Sequence, residues 1–535
     1  MTDSITDGRG ATPTPPATDG DGWLPELEEL ERRRAFAYAM GGEDNIARQH
    51  ASGRLTARER IDALLDPGSF QEIGVLTGRG VREDGQLVSM VPANVIIGTG
   101  RIDGRKVVVS AEDFTVRGGS SEATSPEKWQ YAEKLALEYR RPMIRLVETA
   151  GGSVNLVRQM GATKLPGYPQ WRWTDMLSTV PVISAALGAC AGFGARRVVS
   201  SHFSVMPKGT AQVFAGGPAI VKPGVRQSIH KESLGGSAVH THGSGVVDNE
   251  AEDERDALAQ IRRVLSYLPS SAYQTAPRHS IDDDPERSDE SLRYVVPRNR
   301  RRVYDMRRIV ASVFDRDSLF EIGRYQGRSQ ITMFGRLHGY PVGILANDPM
   351  HHAGALTAAS AEKMIRFIDL CDTFHVPMVN FVDQPGTYIG EQAEQEGTVR
   401  MAIRAGAAVD QATIPWYTVV VRRCFGLAGA GYAPLRGMNL RVAWPSAYWG
   451  SIPLEGGIEA AFARDIEASP DPDIRRQELH EQFRGLDSPF LTAEQFGIQD
   501  IIDPADTRSL LCDWIGDAYG LVQSGLGPKT RGMRP

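Results

Sequence analysis

Cysteine is scarce in this sequence: Cys190, Cys371, Cys424 and Cys512 are the only four among 535 residues, and they lie far apart. With no CxxC pair there is neither a zinc ribbon nor a disulfide framework to read. Isolated thiols of this kind serve as small buried apolar residues in a reducing compartment. Long apolar runs are missing too. No stretch approaches the roughly 18 apolar residues needed to span a bilayer. Residues 1–22 are polar and Pro/Gly-rich without the apolar centre of a signal peptide, so they read as a disordered tail on a cytoplasmic protein. A strong charge of one sign is also lacking. A formal net charge of −6 sets up no field that recruits nucleic acid or a membrane surface, and the basic runs Arg32 to Arg34 and Arg298 to Arg302 read as solvated faces or partner contacts.

What is present is a repeat. Arg60-Ile61 leads to Asp66-Pro67-Gly68-Ser69-Phe70-Gln71-Glu72-Ile73-Gly74, and Arg308-Ile309 leads to Asp315-Arg316-Asp317-Ser318-Leu319-Phe320-Glu321-Ile322-Gly323. Gly100-Arg101-Ile102-Asp103-Gly104 before Val107-Val108-Val109 is matched by Gly335-Arg336-Leu337-His338-Gly339 before Val342-Gly343-Ile344-Leu345. An amphipathic helix follows in each half, over 127–139 and 361–374, and Pro142-Met143-Ile144 returns as Pro377-Met378-Val379, an offset of roughly 235 positions. Val180-Pro181-Val182-Ile183 through Cys190-Ala191-Gly192 pairs with Ile414-Pro415 through Cys424-Phe425-Gly426. Apolar strands alternate with helices, which predicts two α/β units of βαβ crossovers. A Ser/Pro/Asp/Arg-rich link near 270–298 separates them, and the expected division is 23–285 and 286–535.

The strand-to-helix junctions are rich in glycine: Gly118-Gly119, Gly151-Gly152 and Gly192 in the first copy, Ala353-Gly354, Gly386 and Gly426 in the second. Glycine there lets bare backbone N–H groups face a cleft, and such amides stabilise an oxygen that turns negative, as when a thioester becomes an enolate. Tight helix–sheet packing accounts for the same glycines, so the pattern alone leaves both readings open. Cys190 and Cys424 are equivalent, but neither has a base in sequence to activate it. His230, His240 and His242 with Asp248 lack a further metal-ligand pattern, and no metal is expected. Glu148 and Asp383 end equivalent apolar strands, where acid/base work or helix capping would each suit them.

The residues resemble a known family, the carboxyltransferase (beta) subunits of the propionyl-CoA and methylcrotonoyl-CoA carboxylases. The likeness is carried by Gly53-Arg54-Leu55-Thr56-Ala57-Arg58-Glu59-Arg60-Ile61, by Asp113-Phe114-Thr115-Val116 with Gly118-Gly119-Ser120, and by Gly151-Gly152-Ser153-Val154-Asn155-Leu156-Val157-Arg158-Gln159. Ser244-Gly245-Val246-Val247-Asp248, Ala346-Asn347-Asp348-Pro349 and Val382-Asp383-Gln384-Pro385-Gly386 agree with it as well. The resemblance covers roughly residues 25 to 465. It implies a tandem pair of crotonase-like (ClpP/crotonase) domains that moves a carboxyl group from carboxybiotin to an acyl-CoA. It implies further that the first copy holds the coenzyme A thioester, the second holds biotin, and the site forms between subunits of a hexamer. Carried over residue by residue, the first oxyanion amides fall on Gly192 and Phe193 and the second on Leu427 and Ala428. Gly118, Gly119, Gly151, Gly152, Ala353, Gly354 and Gly426 then frame the ligands, and no obligatory side-chain base is implied.

Two positions depart from the family pattern. Phe193 stands where the propionyl branch has glycine, so its ring needs a place and would narrow an acyl pocket if it pointed there. The loop Cys424 to Tyr432 fits neither common branch, so the acyl group does not transfer by analogy. No Ala-Met-Lys-Met site and no ATP-binding module are present. The resemblance therefore implies a separate biotin carboxylase/biotin carrier (alpha) subunit as partner. Two alternatives remain open from sequence: a non-catalytic paralogue within a mixed complex, and a biotin-dependent acyl-CoA decarboxylase.

Overall fold

The computed structural model describes residues 22–163, 165, 167–168, 170–432, 436–437, 439–530 and 532–533; residues 1–21 of the expected tail lie outside them. The first copy is built on β1 (Gln71–Ile73), an exposed ribbon of β2 (Gly78–Glu83) and β3 (Gln86–Pro92), then β4 (Val95–Ile102), β5 (Arg105–Glu112), β6 (Met143–Thr149), β7 (Val182–Ala191), β8 (Phe203–Pro207), β9 (Gln212–Phe214) and β10 (Asn249–Ala251). The second repeats the plan, without the ribbon, in β11 (Phe320–Glu321), β12 (Gln330–Leu337), β13 (Tyr340–Asn347), β14 (Met378–Gln384), β15 (Trp416–Phe425), β16 (Asn439–Ala443), β17 (Tyr448–Gly450) and β18 (Asp500–Ile501). The sheet orders β1-β4-β5-β6-β7-β8-β10 and β11-β12-β13-β14-β15-β16-β18 correspond strand for strand, with β9 and β17 branching from β7 and β15. Each begins antiparallel and turns parallel from its third strand onward. This is the duplicated crotonase-like α/β arrangement expected from the repeat.

Local chemistry sets the element ends. Thr56 and Glu59 close a capping box on the helix Ala57–Leu64, and Thr357 with Ser360 does the same for Ala358–Thr373. Parallel strands covered on both faces read as continuous apolar runs, and β6 and β14 are buried along their whole length.

The copies share a core. Tyr267 stacks on Phe334 with ring centroids 5.4 Å apart, Phe203 meets Phe320 at 5.7 Å, and His202 meets Phe374 at 4.7 Å. A bidentate ion pair accompanies them: Arg366 Nε lies 2.9 Å from Asp248 Oδ1 and its Nη2 2.9 Å from Oδ2. The link packs onto the second copy, where the His279 N–H donates to the Gly339 carbonyl and Arg508 Nε to the Asp284 carbonyl. The C-terminal segment returns to the first copy: the Gly527 N–H donates to Ala272 O at 2.8 Å and Met533 is buried. Among the described residues no helix is long and apolar enough to cross a membrane.

Breaking a part-buried pair leaves a carboxylate without its partner, so Arg366→Ala is expected to cost about 3 kcal/mol. Chemical denaturation followed by fluorescence reads the loss.

Candidate functional site

Ligands of open α/β sheets bind at the carboxyl ends of parallel strands, and both glycine junctions sit there. β7 and β15 each fork. The first part of β7 pairs with β8 (Ile183 to Ala185 against Phe203 to Val205) and its last part with β9 (Ala189 to Ala191 against Gln212 to Phe214). β15 divides in the same way between β16 and β17. At each fork the register slips. Val147 pairs Ala186 while Thr149 pairs Cys190, and Val382 pairs Val420 while Gln384 pairs Cys424. Extra residues on one strand bend it and tighten its twist, which turns the end of β7 or β15 toward its glycine.

A buried acid faces each bulge. Glu148 is fully buried and contacts Arg60 Nη1 at 2.7 Å, the Arg54 guanidinium, and Gln49 Nε2 at 2.7 Å. A side chain at Gly188 would collide with its carboxylate. Asp383 accepts from Tyr304 O–H at 3.0 Å, from Arg422 Nε at 3.1 Å, and from Arg423 Nε at 2.6 Å. The backbone N–H of each acid is held alike, by Glu112 Oε2 and by Asn347 Oδ1, both at 3.0 Å. Burial alone would push Asp383 up, but the hydrogen bonds and charges of Arg423 and Arg422 outweigh it and hold the carboxyl below the usual range. The acid/base and capping readings of these two residues both give way here. They lie within strands, and every oxygen is committed to arginine, tyrosine or glutamine.

Beyond the bulges lie the junctions. Gly192 has φ 57 and ψ −110 and caps the helix Phe193–Val199; Gly426 has φ 61 and opens the single turn Gly426–Ala430. Both conformations favour glycine. First-turn N–H groups have no intrahelical acceptor, so the amides of Phe193 and Gly194, and of Leu427 and Ala428, face outward from the helix ends. The Gly192 amide itself is engaged, donating to Phe214 O at 3.1 Å; this glycine supplies the bend rather than a free donor. Gly151 lies against the Ala191 carbonyl and Gly386 near that of Phe425. The turns Arg117–Gly119 and His352–Gly354 close on Glu148 and Asp383 and have positive φ at every residue, including the non-glycines Arg117, His352 and Ala353. The structure thus gathers Gly118, Gly119, Gly151, Gly192 and Phe193 at one strand end and Ala353, Gly354, Gly426, Leu427 and Ala428 at the equivalent end; Gly152, next to Gly151, has open space around it.

The Phe193 ring packs away from its amide, 5.3 Å from Trp129, 4.5 Å from Tyr168 and 5.1 Å from Trp171. It anchors the helix in an aromatic cluster. Leu427, by contrast, is exposed. Cys190 Sγ donates to Val147 O, and Cys424 Sγ to Gly429 O; burial pushes the first well above the usual thiol range and the second up to about 11. Neither is a thiolate at neutral pH. His240 Nε2 lies 2.6 Å from Val213 O and props β9, and no group of three metal-ligating side chains occurs among the described residues. Sequence reading missed a cavity of about 740 Å³ under the helices Leu24–Tyr38 and Glu43–Ala51, whose lining includes Arg48, Arg54, Phe114, Arg117 and Gly118. Arginines recurring near a left-handed turn were its only sequence signal.

Comparison with known proteins agrees with this geometry. Residues 48–515 match the model of the carboxyl transferase domain. The chain is 36% identical over 490 residues to the propionyl-CoA carboxylase carboxyltransferase subunit of Haloferax mediterranei, covering 91% of this chain and 94% of the relative. It is 34% identical over 490 residues to the methylmalonyl-CoA decarboxylase subunit alpha of Veillonella parvula, covering 90% and 94%. Transcarboxylase 12S, solved as a hexamer with methylmalonyl-coenzyme A and methylmalonic acid bound, superposes with a TM-score of 0.84 at 29% identity, over 96% of this chain and 97% of that one. The chain therefore belongs to the carboxyl transferase family, the carboxyltransferases of biotin-dependent acyl-CoA carboxylases.

Two outcomes are expected. Cys190→Ala and Cys424→Ala keep turnover within about twofold, because neither thiol is ionised near pH 7; steady-state rates check this. Asp383 has a depressed folded pKa, so its stabilisation is complete above its ordinary value of 3.8 and is lost as pH falls through the lower folded value. Asp383→Asn is expected to be less stable at neutral pH by about 3–5 kcal/mol, and to lose less of its remaining stability than the parent below about pH 4 in acid-unfolding curves.

Proposed function

We propose that this chain carboxylates an acyl-CoA, with the first copy holding the thioester, the second holding biotin on a separate carrier chain, and the site completed between subunits. The observation that supports it best is the pair of equivalent junctions, each offering first-turn amides at the end of a forked strand, with no activated side-chain nucleophile at either among the described residues. Amide donors fixed before the reaction stabilise developing oxyanions without reorganising. The amides of Phe193 and its neighbours would meet the thioester oxygen as the α carbon gives its proton to the biotin ureido nitrogen freed of its carboxyl, and those of Leu427 and Ala428 would hold the ureido oxygen on which charge develops. Carboxybiotin, when bound, supplies the carboxyl group. The chain's own residues bind, orient and exclude water, and their donors alone fit an acceptor oxygen on each side. Arg48 and Arg117 suit the phosphates of coenzyme A in the cavity they line.

Assembly with further copies has its own support. Val154, Ile220 and Val225 are exposed in helices that follow the strands of the first junction, and Leu427, with Ile389 and Ile452 in loops, is exposed in the second copy. Exposed apolar residues gathered in this way mark contact surfaces. We assign them to neighbouring copies in a hexamer, first copy against second.

The test uses purified chain, free biotin and a panel of malonyl-, methylmalonyl-, methylglutaconyl- and longer-chain carboxyacyl-CoAs, followed by mass spectrometry. Biotin-dependent loss of carboxyl from one member is the expected result and identifies the acyl class. No turnover from a correctly assembled oligomer would instead support a non-catalytic role beside a sister chain.

A further inference from the structure

We infer that Arg423 is a positioning residue for the second junction, standing in for a backbone donor that Pro385 removed. The inference rests on the proposal that this junction receives biotin. In the first copy, the carbonyl of Gly118, at the centre of the left-handed turn, accepts from the Ala150 N–H at 3.0 Å, and the Gly119 carbonyl accepts from Thr149 Oγ1 at 2.6 Å. The equivalent of Ala150 is Pro385, directly after β14, and proline has no N–H to give. The Ala353 carbonyl, equivalent to that of Gly118, accepts from Arg423 Nη2 at 2.8 Å instead. Arg423 immediately precedes Cys424 as Ala189 immediately precedes Cys190, and alanine offers no side-chain donor. One copy therefore ties its turn through the main chain and the other through a guanidinium.

The substitute is well anchored. Arg423 Nε donates to Asp383 Oδ1 at 2.6 Å, and its main-chain N–H reaches the same oxygen at 3.2 Å. Arg422 and Tyr304 hold Oδ2. The planar fork can thus grip the acid with one nitrogen and the turn with another, which a single ammonium cannot reproduce at fixed geometry. The turn needs the grip: His352 and Ala353 have φ 46 and 52, a conformation that L-residues rarely adopt unless the surroundings enforce it. Arg423 stands on β15 three residues before Gly426, so one side chain sets the spacing between the turn and the amides of Leu427 and Ala428.

The experiment uses the full-length oligomer in the biotin-dependent decarboxylation assay, with free biotin and the carboxyacyl-CoA varied separately. Arg423→Lys keeps the charge beside Asp383 but loses the fork. It is expected to raise KM for biotin roughly tenfold while KM for the acyl-CoA stays within about twofold, because the first junction is untouched. Pro385→Ala restores an N–H where the first copy has one, so the Arg423→Lys/Pro385→Ala variant is expected to recover most of the biotin KM, and Pro385→Ala alone to resemble the parent. A purely structural role for Arg423 would raise both constants or lower kcat, and Pro385→Ala would not repair it. An unchanged biotin KM in Arg423→Lys, or no recovery in the double variant, overturns the inference while an active parent leaves the proposed function standing. A parent without biotin-dependent turnover overturns both.

Discussion

A carboxylate buried opposite a β-bulge, and neutralised there by arginine, is the interaction on which both halves of this protein depend. Placing an ion out of water is costly unless its partners are close; Glu148 has Arg60 Nη1 at 2.7 Å beside the Arg54 guanidinium, and Asp383 has Arg423 Nε at 2.6 Å. Each acid fills the register slip, so the strand beside it bends, the fork opens, and the following glycine is delivered to the carboxyl edge of the sheet. The partners are recruited differently. Glu148 draws Arg54 and Arg60 from the segment leading into and through the helix Ala57–Leu64, whereas Asp383 draws Arg422 and Arg423 from the bulge itself. The geometry was kept while the means of stabilising it diverged.

A site built from main-chain donors tolerates that divergence. Phe193 occupies a position where a small residue would serve, yet its amide is unaffected because the ring leaves the mouth and settles among Trp129, Tyr168 and Trp171. Leu427 is the opposite case, an exposed side chain beside a first-turn amide. The side chains around the junctions can therefore vary with the acyl group or the partner, while the backbone proposed to meet the oxyanions stays fixed.

The two copies behave as one folded body. Tyr267, Phe203 and His202 of the first copy pack on Phe334, Phe320 and Phe374 of the second, and Asp248 receives Arg366 at their boundary. Packing of this kind orients the two junctions within a chain. The exposed apolar residues around each junction then point outward, which is how a site shared between chains would be arranged.

The sequence by itself determined the duplication, the order of strands and helices, and the glycine junctions, because those features are written as local patterns: period, turn chemistry and recurrence at a nearly constant offset. It named no base beside Cys190 or Cys424, and in the fold Cys190 is buried while Cys424 is half-buried with its thiol donating to Gly429 O. It could not assign Glu148 and Asp383, whose partners Arg60, Arg54 and Tyr304 lie on other segments and become neighbours only when the sheet closes. Nor could it tell that the Gly192 amide is consumed by Phe214, that Phe193 turns away from the mouth, or that Arg423 replaces an N–H missing at Pro385. Each of these depends on which backbone groups are left without a partner, and that is decided only when strands distant in sequence are brought into hydrogen-bonding register.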